Sequence, residues 1–132
     1  GHCPAVMLHD GRVLVIGGMD NNTETTTEVL DIASGTSSPG PKMDIARRAA
    51  SATLLPEGGR VLVIGGELSD GTSLATTVVL DVAKNNTSAG PKLSIPRSFC
   101  TAVKLPDDRI FVMGGYSGSD QVSTSEILSM PN

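Results

Sequence analysis

Tryptophan is absent, and one Tyr with two Phe makes aromatics only 2% of the 132 residues, so any core this chain builds is aliphatic. Two His and two Cys are scant material for a metal site, and no H-x-x-x-H, H-E-x-x-H or C-x-x-C spacing occurs where a closed zinc site needs four such ligands. We therefore expect neither a metal nor a cofactor. No apolar run is longer than Val61–Ile64, against the roughly 20 residues needed to span a bilayer as a helix. The 10 Lys and Arg are scattered among 14 Asp and Glu for a net charge of −4. No positive stripe of the kind that neutralises phosphates exists, which argues against nucleic acid as a partner. The first residues, Gly1-His2-Cys3, offer neither an initiator Met nor a secretory signal. The expectation is a piece of a longer chain, with its compartment unreadable.

What the chain does have is glycine (15), proline (8) and 39% apolar residues, enough for a core. The apolar residues arrive in short runs of Val, Ile and Leu with no sustained helical spacing, which points to an all-β fold.

Three segments align. Leu8-His9-Asp10-Gly11-Arg12-Val13-Leu14-Val15-Ile16-Gly17-Gly18 is repeated as Leu55-Pro56-Glu57-Gly58-Gly59-Arg60-Val61-Leu62-Val63-Ile64-Gly65-Gly66, and again as Leu105-Pro106-Asp107-Asp108-Arg109-Ile110-Phe111-Val112-Met113-Gly114-Gly115. The glycine pairs lie 48 and 49 residues apart. Gly40-Pro41-Lys42 recurs as Gly90-Pro91-Lys92, Arg47 as Arg97, and Leu30-Asp31 as Leu80-Asp81, each 50 residues on. A period of this length marks a repeat architecture.

Each unit reads as four antiparallel strands, over Ala49–Leu55, Arg60–Ile64, Thr76–Val82 and weakly Asn86–Ala89 in the complete one. Val61–Ile64 is apolar at every position, so both faces of that strand are expected to be buried. A four-stranded sheet can do this only with a sheet on either side, and radial packing of such sheets is the β-propeller solution. The glycine pair marks a turn with little room for a Cβ and suits positive φ. A phosphate loop is disfavoured, since no G-x-G-x-x-G, helix start or Lys-Ser/Thr pair follows.

With a strand entering Gly-Gly, a Leu-Asp after the third strand, an Arg before the next first strand and a period near 50, the chain resembles the Kelch repeat over essentially its whole length. The resemblance implies blades at about 1–42, 43–92 and 93–132, the last incomplete, or about two and three-quarter blades. Closed propellers hold about 4 to 8, so two blade faces are expected to stand open, to be covered by further blades or by self-association. The family commonly carries an aromatic in its outer strand and a Tyr before the glycines; here Thr36-Ser37 and Asn86-Thr87 fill the first place and only Phe111 echoes the second. Blade packing weaker than the family's is the expectation, because small polar residues bury little area.

The chemistry-bearing residues are few. His9 occupies a turn position held elsewhere by Pro56 and Pro106 and is expected to be solvated. Cys3 and Cys100 fall at equivalent inner-strand positions two blades apart, too far for a disulfide, and read as buried apolar thiols without an activating partner. Ser69-Asp70-Gly71-Thr72 resembles the Asp-box turn of sialidase propellers but lacks the following aromatic, leaving an Asp-Gly turn. Asn21-Asn22-Thr23 and Asn85-Asn86-Thr87 match the glycosylation pattern, weighed chiefly as coincidence.

The resemblance also implies a function: a protein- or glycan-binding scaffold without catalysis, using variable loops at Asp20–Thr25, Ser69–Ser73 and Tyr116–Gln121. Candidate ligand contacts are Arg47, Arg97, Tyr116, Ser117 and Asp120, with Tyr116 the anchor and its ring the one exposed aromatic. Arg47 and Arg97 fall where the family places arginines that hold acidic peptides; the competing reading has them bonding carbonyls of neighbouring blades. Gly17, Gly18, Gly65, Gly66, Gly114 and Gly115 are structural. The galactose oxidase-like branch of the family uses a copper-radical site of tyrosines, histidines and a cross-linked cysteine. This segment has only Tyr116 to offer, so it would be the non-catalytic part of such an enzyme.

Overall fold

In the computed structural model, which describes residues 4–17, 25–56 and 59–130, the chain is all-β. The first sheet joins β1 (Ala5–Met7), β2 (Val13–Ile16), β3 (Thr27–Asp31) and β4 (Thr36–Pro39) in sequence order, all neighbours antiparallel. The second repeats the plan with β5 (Ser51–Leu54), β6 (Arg60–Ile64), β7 (Thr77–Asp81) and β8 (Asn86–Ala89). The third holds β9 (Thr101–Lys104), β10 (Ile110–Met113) and β13 (Ser125–Leu128). A separate hairpin, β11 (Tyr116–Ser117) with β12 (Asp120–Gln121), lies in the loop between β10 and β13. That hairpin was not foreseen; its turn contains Gly118 at φ 64.

The sheets stack side by side, as the apolar run in β6 requires. Val61, Leu62, Val63 and Ile64 all have no exposed surface, or none above a rounding error. Val61 and Val63 join Val78 and Leu80 in a cluster with Leu14, Ile16 and Val29 of the first sheet. Leu62, Ile64 and Val79 enter a second cluster with Ile110, Val112 and Leu128 of the third. Alternation along one strand thus feeds two junctions, each side chain contributing about 1.5–3 kcal/mol by leaving water. Met43 and Leu93, 50 residues apart, plug the two clusters from the linkers, their amides bonded to Thr25 O and Ala75 O at 2.8 and 2.7 Å. The outer strands β4 and β8 add no residue to either cluster, in keeping with their small polar composition.

The repeated Gly-Pro-Lys has its own cause. The buried Thr27 hydroxyl donates to Pro41 O at 2.6 Å and that of Thr77 to Pro91 O at 2.7 Å. A Cβ on Gly40 or Gly90 would collide with that same threonine oxygen. Gly65 and Gly66, at φ 62 and 98, are constrained twice over: besides the positive φ, a Cβ on Gly66 would stand 2.8 Å from Arg48 O, and one on Gly65 would strike Arg97 O. Gly114 and Gly115 repeat the conformation, and Gly17 is also at positive φ, while Gly18 lies outside the described residues.

The first strand of the second unit is shorter than expected, because Ala49 at φ 54 cannot continue a strand into Ser51. Among the described residues the third sheet has no fourth strand.

Candidate binding surface at the loop end

The loops leaving β6 and β10 and the segments entering β5 and β9 share one end of the stacked sheets, and an arginine organises this end in each of the last two units. Arg47 donates through Nη1 to Gly65 O and Thr76 O, both at 2.9 Å, and through Nη2 to Thr76 Oγ1 at 2.8 Å and the Asp44 carboxylate at 3.2 Å. Arg97 repeats the arrangement on Gly114 O (3.0 Å), Thr124 O (2.7 Å), Thr124 Oγ1 (3.0 Å) and the Glu126 carboxylate (3.2 Å). Both guanidiniums are wholly buried. Each clasps the two ends of the loop that follows the glycine pair, so neither presents surface to a ligand. The bonded carbonyls belong to the arginine's own blade, correcting the expectation that they lie on a neighbour.

Glu126 sits with Arg97. Burial raises its pKa, but the Ser94 amide at 2.7 Å, the Ser94 hydroxyl at 3.0 Å and the Arg97 guanidinium outweigh that and hold the carboxyl below its ordinary value.

Beyond the clasps, Arg48 pairs with Glu67 as a one-residue bridge, amide to carbonyl in both directions at 2.9 and 2.7 Å. Ser98 pairs with Tyr116 in the same way at the equivalent place, both bonds at 2.8 Å. The neighbouring blade also holds this hairpin: Ser73 Oγ donates to Tyr116 O at 3.2 Å and accepts from the Gly118 amide at 2.9 Å. Tyr116 is thereby fixed at its backbone while its ring stays exposed. The ring meets Phe99 edge to face, centroids 6.3 Å apart and planes at 90°, the arrangement favoured by the ring quadrupoles. Tyr116 is 44% exposed and Phe99 51%.

Of the expected site residues, Tyr116, Ser117 and Asp120 therefore come together on the hairpin, whereas Arg47 and Arg97 lie beneath it as supports. Phe99 was missed, and Tyr116 is not the sole exposed aromatic. The equivalent Ala49 is buried, with the Phe99 amide bonded to its carbonyl; no described blade follows the third to cover Phe99 in turn. The available signal was that one of only three aromatics immediately precedes the inner strand, at the loop end. Asp20–Glu24 of the first loop, Asn21-Asn22-Thr23 among them, lies outside the described residues, as do Cys3 and His2.

The remaining candidates behave as plain structure. Cys100 is a buried free thiol, and burial pushes its pKa up, away from a reactive thiolate. His9 is exposed and its Nε2 lies 3.1 Å from Leu55 O across the first junction. Asp70 Oδ1 accepts the Thr72 amide at 2.9 Å in an Asp-Gly turn with Gly71 at φ 88. Among the described residues no three His, Cys, Asp or Glu side chains gather where a metal ion could sit, and no helix is long and apolar enough to cross a membrane.

Residues 1–44 match the family model of the Kelch motif, a repeat typically used in protein–protein interaction. No curated protein matches the chain. The motif stands in the first unit, and the strand plan and glycine pairs recur in the following all-β sheets, which supports a Kelch-repeat family for the chain.

Proposed function

We propose that this chain is a protein-binding scaffold without a catalytic site of its own, and that its contact surface is the loop end centred on Tyr116 and Phe99. The observation that carries the reading is the edge-to-face pair itself. Two aromatic rings stand about half exposed on a backbone tied down by Ser98 and Ser73. Rigid, amphipathic aromatic area of this kind is what interface anchors are made of. On the same hairpin lie Ser117 and the exposed carboxylate of Asp120, while the Arg47 and Arg97 charges are buried below and the exposed Arg48 is paired with Glu67. That balance suits a segment bringing apolar or basic side chains and backbone donors better than an acidic one.

Selection from a displayed library of random peptides tests this. Peptides enriched on the wild-type chain are expected to carry apolar or basic residues and to lose binding on Tyr116→Ala. Equal binding to Tyr116→Ala would refute the site, and binding on a glycan array with no enriched peptide would refute the partner class.

A further inference from the structure

One hydroxyl ties the Tyr116 hairpin to the blade before it. Tyr116 belongs to the third blade, and its carbonyl oxygen accepts from the Ser98 amide at 2.8 Å and from the Ser73 hydroxyl at 3.2 Å. Ser73 belongs to the second blade, in the loop between β6 and β7. The same Ser73 oxygen accepts from the Gly118 amide, in the turn of the hairpin, at 2.9 Å. A hydroxyl has one donor and two acceptor lone pairs, so this single side chain supplies what a strand residue supplies with its N–H and C=O. The hairpin is thereby held from two sides, by Ser98 of its own blade and by Ser73 across the junction.

Ser73 is itself a fixed point. It pairs with Glu67 as a one-residue bridge. The turn between the two is closed by the Leu68 amide on Thr72 O, the Gly71 amide on Leu68 O and the Thr72 amide on Asp70 Oδ1, each at 2.9 Å. Behind Ser73 the Leu74 amide reaches Gly66 O at 2.8 Å, and the buried Arg47 guanidinium holds Gly65 O and Thr76 O. The hairpin is the weaker partner: β11 and β12 have two residues each and are largely exposed. A lone two-stranded hairpin is marginal in water, so bonds from its neighbours set where the Tyr116 ring stands.

We propose that Ser73 is a positioning residue for the loop-end binding site, fixing the Tyr116 hairpin from the neighbouring blade so that a bound peptide meets two blades held as one surface. Resting on the binding role given to Tyr116 above, this makes the site a property of the junction between the second and third blades and not of one loop.

Amide hydrogen exchange and tyrosine emission test the tie without a ligand, Tyr116 being the single tyrosine in a chain that lacks tryptophan. In Ser73→Ala the Gly118 amide is expected to exchange about 3- to 10-fold faster, the loss of one hydrogen bond. The emission anisotropy of Tyr116 should fall, while the Leu62 and Val63 amides keep their rates. Ser73→Thr, which retains the hydroxyl, is expected to restore both signals. A peptide selected on the wild-type chain and dependent on Tyr116 should bind Ser73→Ala about 3- to 10-fold more weakly and Ser73→Thr as it binds wild type. If circular dichroism shows that Ser73→Ala has lost its strands, Ser73→Val against Ser73→Thr makes the comparison, the two sharing a shape and differing in the hydroxyl. Unchanged Gly118 exchange would overturn the tie, and faster exchange with undiminished affinity would overturn its role in binding while leaving the Tyr116 site in place. Peptides that bind Tyr116→Ala as well as wild type would instead refute the site, and the role of Ser73 with it.

Discussion

The Phe99 amide donates to Ala49 O at 2.9 Å, and the two residues, equivalent in consecutive units, both sit at positive φ, 56 and 54. A left-handed conformation disfavours non-glycine residues by about 1–2 kcal/mol, so the bond joins two strained positions across a blade junction. Asn accepts this conformation more readily than Phe. Phe99→Asn is therefore expected to leave the urea midpoint nearly unchanged, relieved strain offsetting the about 0.5–1.5 kcal/mol of the aromatic pair. Affinity for any peptide selected on the loop end should nevertheless fall. Lost stability with retained binding would reverse the roles given to the backbone and the ring.

Arg97 has the opposite profile. Its buried guanidinium bonds two carbonyls, a hydroxyl and Glu126 at once, so Arg97→Ala removes a donor from each of them, leaving Glu126 with Ser94 alone and Thr124 O with the Gly114 amide, and is expected to cost about 3–5 kcal/mol in denaturant unfolding. Arg97→Lys should recover only part, because an ammonium cannot reproduce the planar fork. Full recovery by Lys would show that charge alone matters.

The Glu126 carboxyl has a pKa held below its usual 4.5 in the folded chain. Its stabilising contribution is complete above that value and is lost as pH falls through the lower folded value. Unfolding monitored from pH 6 down to pH 3 should thus show a loss of stability that is shallower in Glu126→Gln. Asp10, Asp70 and Asp107, held low first of all by the backbone amides of Arg12, Thr72 and Arg109, titrate in the same sense and remain in both proteins. Identical slopes for variant and wild type would dismiss the Ser94–Arg97 cradle as a source of acid sensitivity.

At Gly90 a methyl group would strike the Thr77 hydroxyl and stand 2.9 Å from Leu62 Cδ1 in the second core. Gly90→Ala is expected to destabilise by about 1–3 kcal/mol, the usual cost of overpacking, and Gly71→Ala by less. Gly71 has a positive φ of 88 where Gly90 does not, but a Cβ at Gly71 meets nothing within 4 Å. A loss at Gly71 equal to or larger than that at Gly90, measured as shifts in thermal midpoint, would mean that backbone strain outweighs the collision in the core.

The repeat and its packing were legible because they rest on periodicity: an uninterrupted Val-Leu-Val-Ile run in β6 has no solvent face, and two flanking sheets follow. The arginines were legible as positions and not as contacts, since a matching place in each unit does not reveal whether the guanidinium turns outward to a ligand or inward to the loop carbonyls. The exposure of Phe99 was hidden for a further reason. Ala49, at the same place in the unit, is buried by the blade that follows it, so the fate of this position depends on its neighbour in space. The β11–β12 hairpin turns at Gly118, and its counterpart in the second unit, the Glu67–Ser73 bridge over the Asp70-Gly71 turn, differs from it in length and sequence, so the repeat did not signal it.

The account stands on β6 lying between two blades, and methyl–methyl nuclear Overhauser contacts report this directly. Val61 and Val63 methyls are expected to contact Leu14 and Ile16, while Leu62 and Ile64 methyls contact Ile110 and Val112. Contacts from only one of the two sets, or all four residues contacting the same sheet, would contradict it.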